Sequence, residues 1–317
     1  MALSPLLQKP SDQSLLVAGI AARLAVFMGA GLSPLRAWQE LVEPDDTTVE
    51  AELIREVNDR ATSGESLVEA LAQTTEFEDD AWRVLAAVHT VAHHTGAPLG
   101  NALWALTTAL HERYEAERAV RATILAPVYT QRLLMGLPLL GLLLSAALGV
   151  DALEFLTSSG LGWIATVSAV VLMAGAWRWS RAMIREALPG PSFLSPALDL
   201  LAIATSGGAS PEAARIRVDD ALSRHGLNAP DGHTLDKLPA LSRRVGIPLR
   251  ALAVAEASWV RARAKADATE RAAALSVKIL IPLGMLVLPA FVIVGVIPIV
   301  FALLSGAFGQ GAGERLW

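Results

Sequence analysis

His89 and His93 stand four residues apart, a spacing that puts two imidazoles on one face of a helix, with His94 adjacent and the acidic residues Glu76, Glu78, Asp79 and Asp80 upstream. Such a set is the raw material of a divalent metal site. The setting argues for a plainer role. His93-His94-Thr95-Gly96 closes a helical pattern, where imidazolium complements exposed carbonyl groups, so no metal is expected. The paired carboxylates Asp45-Asp46 and Asp219-Asp220 read as solvated helix ends and not as an acid and base couple. The sequence has no GxxxxGK[ST] phosphate loop, no HExxH and no GxSxG elbow. With no cysteine it has no disulfide, thiolate metal site or cysteine nucleophile, which suits a cytoplasmic setting. These residues predict a protein that is not an enzyme and uses no cofactor.

The elements that could position any site are dominated by three apolar runs. Residues 279–313 carry no charge, and residues 133–150 and 155–177 are likewise uncharged. Each is long enough to cross about 30 Å of hydrocarbon as a helix. The spans contain no Asp, Glu, Lys, Arg or His, groups that proton and ion relays need within the membrane. Residues 15–31 are apolar on balance but short and interrupted by Arg23, which predicts a buried amphipathic helix and not a fourth span.

Apolar residues make up 53% of the chain and the mean hydropathy is +0.45, too high for an ordinary soluble domain and too low for a chain that is nearly all span. The rest has helical periodicity. The expected fold class is therefore all-α: an integral membrane protein with three transmembrane helices and two cytoplasmic helical bundles. The expected segments are a bundle at 1–125, a transmembrane hairpin at 126–180 with spans near 133–150 and 158–177, a second bundle at 181–275, a third span at 276–306 and a short external tail at 307–317. Pro189-Gly190-Pro191 reads as the linker ahead of the second bundle.

Cations near the span ends set the expected orientation, because loops rich in Lys and Arg resist translocation. Arg113, Arg118, Arg121 and Arg132 precede the first span, Arg178, Arg181 and Arg185 follow the second, and Arg261, Arg263, Lys265, Arg271 and Lys278 precede the third. The loop between the first two spans offers only Asp151 and Glu154, and the tail only Arg315. Both bundles and the N-terminus are expected in the cytoplasm, with the C-terminus outside. A net charge of −5 without a sustained basic stripe gives no reason to expect nucleic acid.

The two bundle segments repeat one another. Gly31-Leu32-Ser33-Pro34 recurs as Gly208-Ala209-Ser210-Pro211, and Gly96-Ala97-Pro98-Leu99 as Gly246-Ile247-Pro248-Leu249. Each Gly-x-Ser-Pro reads as a helix start, with glycine ending the previous helix, serine capping the free amides and proline in the first turn. Arg113 and Arg121 fall at the same offset as Arg263 and Arg271. Gly31 to Gly96 is 65 positions and Gly208 to Gly246 is 38, so the first copy holds extra helices: about six against about four. Val49, Leu53, Ile54 and Val57 mark one of them, and Ser66-Leu67-Val68-Glu69 is a capping box opening another.

Tandem helical bundles with these helix starts, alternating with membrane helices, resemble the type II secretion system F family, the inner-membrane platform proteins of secretion systems and type IV pili. Lys278 to Pro298, with its Lys-x-x-x-Pro-Leu start and its Leu288-Pro289-Ala290-Phe291 core, is similar to the tight-adherence branch. Gly64-Glu65-Ser66-Leu67 and Thr95-Gly96 resemble further family landmarks. Arg243-Arg244-Val245 ahead of Gly246 departs from the usual turn. The resemblance implies a platform without chemistry of its own that couples a cytoplasmic ATPase to extraction of pilin subunits and fibre assembly. The implied neighbours are that ATPase, a second platform protein, further copies of the chain, pilin subunits and the lipid bilayer.

Within that reading the charged stretch after the apolar stripe Leu99, Ala102, Leu103, Leu106 and Leu110 is a candidate partner contact through Arg113, Glu117, Arg118 and Arg121. Trp38, Trp82, Trp104 and Trp259 are expected in cores or bundle contacts, and Trp163, Trp177 and Trp179 at membrane interfaces. Pro282, Pro289 and Pro298 should kink the last span, so that it packs against the hairpin or another subunit. The alternative reading is an oligomeric membrane transport protein for small neutral solutes, with the kinked helix and hairpin as its pathway.

Overall fold

A computed structural model describes residues 10–42, 46–73, 80–147, 154, 156–157, 160–187, 195–228 and 232–301. Among them every regular element is helical. The elements are α1 (Pro10–Gly29), α2 (Pro34–Gln39), α3 (Val49–Thr62), α4 (Leu67–Gln73), α5 (Asp80–Thr95), α6 (Leu99–Met135), α7 (Leu137–Ala147), α8 (Gly160–Ala187), α9 (Pro196–Ser206), α10 (Pro211–Arg224), α11 (Gly232–Val245) and α12 (Leu249–Lys278), followed by a closing helix of mixed type from Leu280. The Pro189-Gly190-Pro191 linker, most of the 76–80 acidic turn and the 307–317 tail lie outside the described residues.

The repeated motifs form the helix starts that their residues dictate. Ser33 and Ser210 adopt nearly the same extended backbone (φ −69°, ψ 155° and φ −61°, ψ 153°), and each hydroxyl accepts from an amide three residues on, Arg36 at 3.4 Å and Ala213 at 3.2 Å. Pro34 and Pro211 begin α2 and α10, where a missing amide hydrogen leaves no bond unmade. Gly31, Gly96, Gly208 and Gly246 all have φ between 69° and 94°, a region that costs a residue with Cβ about 1–2 kcal/mol. Ser66 and Glu69 close the reciprocal capping box, with amide bonds of 3.2 Å in both directions.

By internal contacts the chain divides into two compact units, Met1–Ala119 with Pro189–Asp267, and Val120–Leu188 with Ala268–Trp317. Helices of both repeated segments build the core of the first unit. Its centre is α5, buried on every side from Ala81 to Ala92 because that stretch carries one charge, Arg83, in an otherwise apolar or small sequence. α5 packs against α1 and α4 on one hand and α9 and α10 on the other. Leu24, Trp38, Leu71, Leu85, Leu103 and Leu110 share this core with Leu198, Leu201, Val218, Leu235 and Ala257. α1 lies in it, with Arg23 exposed, as its interrupted apolar pattern predicts. The Leu99 to Leu110 stripe also faces inward.

Trp38 and Trp82 are buried, but Trp104 and Trp259 are 48% and 55% exposed, contrary to expectation. Trp104 follows Leu103 in the buried stripe and is turned by one residue's rotation, about 100°, out of it. Trp259 instead lies under Arg263, whose guanidinium carbon is 5.3 Å from the ring centre.

Three helices are long and apolar enough to cross a membrane; they lie within Leu99–Ala147, Gly160–Ile184 and Leu249–Phe301. The closing helix accommodates its prolines by widening. A turn at Ile279 precedes Pro282, a π-helical turn at Leu283–Val287 precedes Pro289, and another at Val292–Val296 precedes Pro298. A proline ring collides with the carbonyl four residues earlier, and a π-turn moves that carbonyl aside while keeping a backbone bond. The helix packs against the hairpin as its prolines suggest: Leu283, Val287, Ala290 and Val294 are buried against residues of α8 that include Ala169 and Ala176.

Candidate interaction surface of the helical head

Of His89 and His93, only His89 is built into the core. His89 is buried, receives the Trp38 indole N–H on Nε2 at 3.1 Å and donates from Nδ1 to the Leu85 carbonyl at 2.9 Å. Neither nitrogen is left for a ligand. Burial pushes the His89 imidazole down to about 4, more than its backbone bond raises it. His93 and His94 are exposed in the last turn of α5. His225, at the end of α10, meets the Thr90 hydroxyl at 2.9 Å and is also held down to about 4 by burial. The two histidines thus fasten α2 and the end of α10 to the central helix. Asp219 and Asp220, on the last turns of α10, are engaged by Arg215 and Arg224.

The richest charge chemistry lies where α6 and α12 run beside α9. Arg261 of α12 donates from Nε to Glu112 of α6 at 2.8 Å and from Nη1 to both oxygens of Asp199 of α9 at 2.9 and 3.0 Å. Its side chain is 11% exposed, that of Asp199 24%. Burial pushes the Asp199 carboxyl up, against the pull of Arg261. A planar guanidinium that joins three helices fixes their spacing in a way a lysine could not. None of this triad was singled out by sequence reasoning as a site. The available signal was Asp199, the only charge in the buried run from Ala197 to Ala204.

The four candidate contact residues divide. Arg113 and Glu117 are buried and face each other, Nε to Oε1 at 2.8 Å, with Arg113 Nη1 and Glu117 Oε2 lacking partners. Arg118 is exposed and Arg121 half-buried. The repeat extends to this pair, because Arg263 and Asp267, at the same offset on α12, also form an ion pair, 4.0 Å apart and largely exposed. One copy of the motif is thus an interior contact and the other a surface one.

Gly207, one position before the repeat glycine Gly208, makes a tight approach nearby. A Cβ on Gly207 would stand 2.7 Å from the Ala97 amide nitrogen and closer still to the Thr95 carbonyl oxygen. The Thr95-Gly96-Ala97 turn of the first segment therefore lies directly on the C-terminal end of α9 in the second. In the second unit Gly141 of α7 makes a comparable approach to Gly295. Pro282 and Ala290 are buried at the packed face of the closing helix.

Among the described residues no group of three or more His, Asp or Glu is placed to hold a metal ion. Residues 20–147 match the family model of Type II secretion system (T2SS), protein F. No curated protein and no solved structure gave a match. The matched stretch begins in α1 and ends with α7, so it takes in the first repeated segment and the first apolar span. It supports a secretion or pilus platform component residing in a membrane.

Proposed function

We propose that the chain is an inner-membrane platform subunit of a type II secretion or tight-adherence assembly machine, which couples a cytoplasmic ATPase to pilin extraction and fibre growth. It does so through protein contacts, without catalysis of its own. The observation that carries this reading is the match of residues 20–147 to protein F of the type II secretion system. The geometry is in keeping with it. α6 is helical without a break from Leu99 to Met135, and α12 from Leu249 to Lys278. A load applied to the head would travel along continuous hydrogen-bonded helices. The cation asymmetry supports a cytoplasmic head and an external C-terminus. Deleting the gene tests the reading: fibre assembly or secretion of the cognate pilin should stop, with pilin accumulating in the inner membrane, and return with the wild-type chain. Unchanged fibres in the deletion strain would refute it.

A further inference from the structure

Two apolar clusters of the second unit give the register of its helices. Met135 of α6, Ala176 of α8 and Leu283 of the closing helix meet at one level, and Leu142 of α7, Ala169 of α8 and Ala290 of the closing helix meet at another. α8 therefore runs opposite to the other two. Measured at 1.5 Å per residue, Arg132, Arg178, Arg181 and Lys278 all lie roughly 3–8 Å beyond the first level, on the side away from the second. The stretches that cross this band, 128–135, 176–184 and 275–283, contain these four cations and no carboxylate. On the same helices the nearest carboxylates are Glu117, Glu186 and Glu270, each five or more residues from any of the four and outside the spacing of an i,i+4 pair.

The surroundings of these cations select the occupant. Arg132 stands 5.9 Å from the centre of the exposed Tyr129 ring and Arg181 5.1 Å from that of Trp177, and Trp179 is exposed beside them. Tyr and Trp rings of this kind sit at the headgroup level of a bilayer. A guanidinium over a ring keeps its N–H edge for an anion, and phosphate fits that edge with two parallel bonds. From the band towards the second level the outward surface is apolar, through Leu133, Leu139, Val170, Val171 and Ile281. The matching molecule is anionic at one end and long and apolar behind it. We propose that this band binds anionic phospholipids in preference to zwitterionic ones, with headgroup phosphates on the four cations and acyl chains along the spans. A zwitterionic headgroup brings a cation of its own, and the band has no carboxylate to receive it. The proposal rests on the reading of the chain as an inner-membrane protein and adds the class of lipid it selects.

The test uses native mass spectrometry on the full chain, extracted from its membrane in a mild non-ionic detergent and then given equal amounts of dioleoyl phosphatidylglycerol and dioleoyl phosphatidylcholine. It is repeated with Arg132→Gln and Arg178→Gln together, two exposed positions, and with lysine at both. The expected result is about tenfold more phosphatidylglycerol than phosphatidylcholine retained, reduced about fivefold or more by the double glutamine change and kept by the lysines. Equal retention of the two lipids, or a preference indifferent to the glutamines, overturns the proposal. So does displacement of the lipid by inorganic phosphate at equal concentration, which marks a site for the free anion, or an acidic protein found on these arginines in place of lipid. The membrane reading fails separately, if the chain is recovered from the aqueous phase without detergent.

Discussion

Gly141 of α7 and Gly295 of the second π-helical turn face each other so closely that a Cβ on Gly141 would stand 3.0 Å from the Gly295 Cα and 3.0 Å from the Phe291 ring. In lipid, where apolar burial drives little association, such close backbone approach is what holds helices together. Gly141→Val or Gly295→Val should lower stability in detergent by about 1–3 kcal/mol. Gly284, with open space around its Cβ direction, should accept alanine with little change. Thermal unfolding in one detergent, followed by circular dichroism, compares the three.

The Arg261 triad predicts an asymmetry. Arg261→Ala strands Asp199 in a mostly buried place and should cost about 2–3 kcal/mol. Replacing both with apolar residues of similar size, Arg261→Met with Asp199→Leu, should recover most of that loss. A double-mutant cycle on denaturant midpoints measures the coupling, and additive losses would show that the bridge contributes nothing.

His89 and His225 make stability depend on pH. Both have folded values of about 4 against an ordinary 6.5, so the folded protein holds them neutral while the unfolded chain takes up protons first. Their contribution is full above pH 6.5 and is lost as pH falls from 6.5 towards 4, on the order of 3 kcal/mol for fully buried His89. Unfolding midpoints between pH 7.5 and 4 should fall, and His89→Gln should make the fall shallower. An unchanged slope in that variant would contradict the assignment.

Neighbouring glycines should respond differently. Gly208→Ala meets open space and only strains a positive φ, for a cost of about 1 kcal/mol. Gly207→Ala collides with the backbone of Thr95 and Ala97, which cannot yield as a side-chain tip would. It should be the more damaging of the two, and limited proteolysis of the head reads the difference.

Much of this architecture was legible in the residues because local chemistry determines it. The caps at Ser33, Ser66 and Ser210, the inward stripe of α6 and the long apolar runs each follow from side chains a few positions apart. The contacts that join the segments were not legible, since Trp38 meets His89 across 51 positions, Thr90 meets His225 across 135 and Glu112 meets Arg261 across 149. The charge density after Leu110 marks the stretch of α6 that holds Arg113, Glu117 and Arg118. Sequence spacing alone could not tell that Arg113 and Glu117 turn inward while Arg118 faces water, because that depends on where α12 lies. The prolines announced a distorted last helix, but the form of the distortion, two π-turns that carry Gly295 to the crossing with α7, is a property of the packed helices.

The account centres on a membrane scaffold whose work is contact with the parts of an assembly machine. Affinity purification of the tagged chain from native membranes in mild detergent, with identification of the bound proteins, tests this most directly. The account predicts a cytoplasmic secretion ATPase, a second platform protein and pilin in stoichiometric or near-stoichiometric yield, each lost from a mock-tagged control. Recovery of the chain alone under conditions that preserve its fold would contradict it.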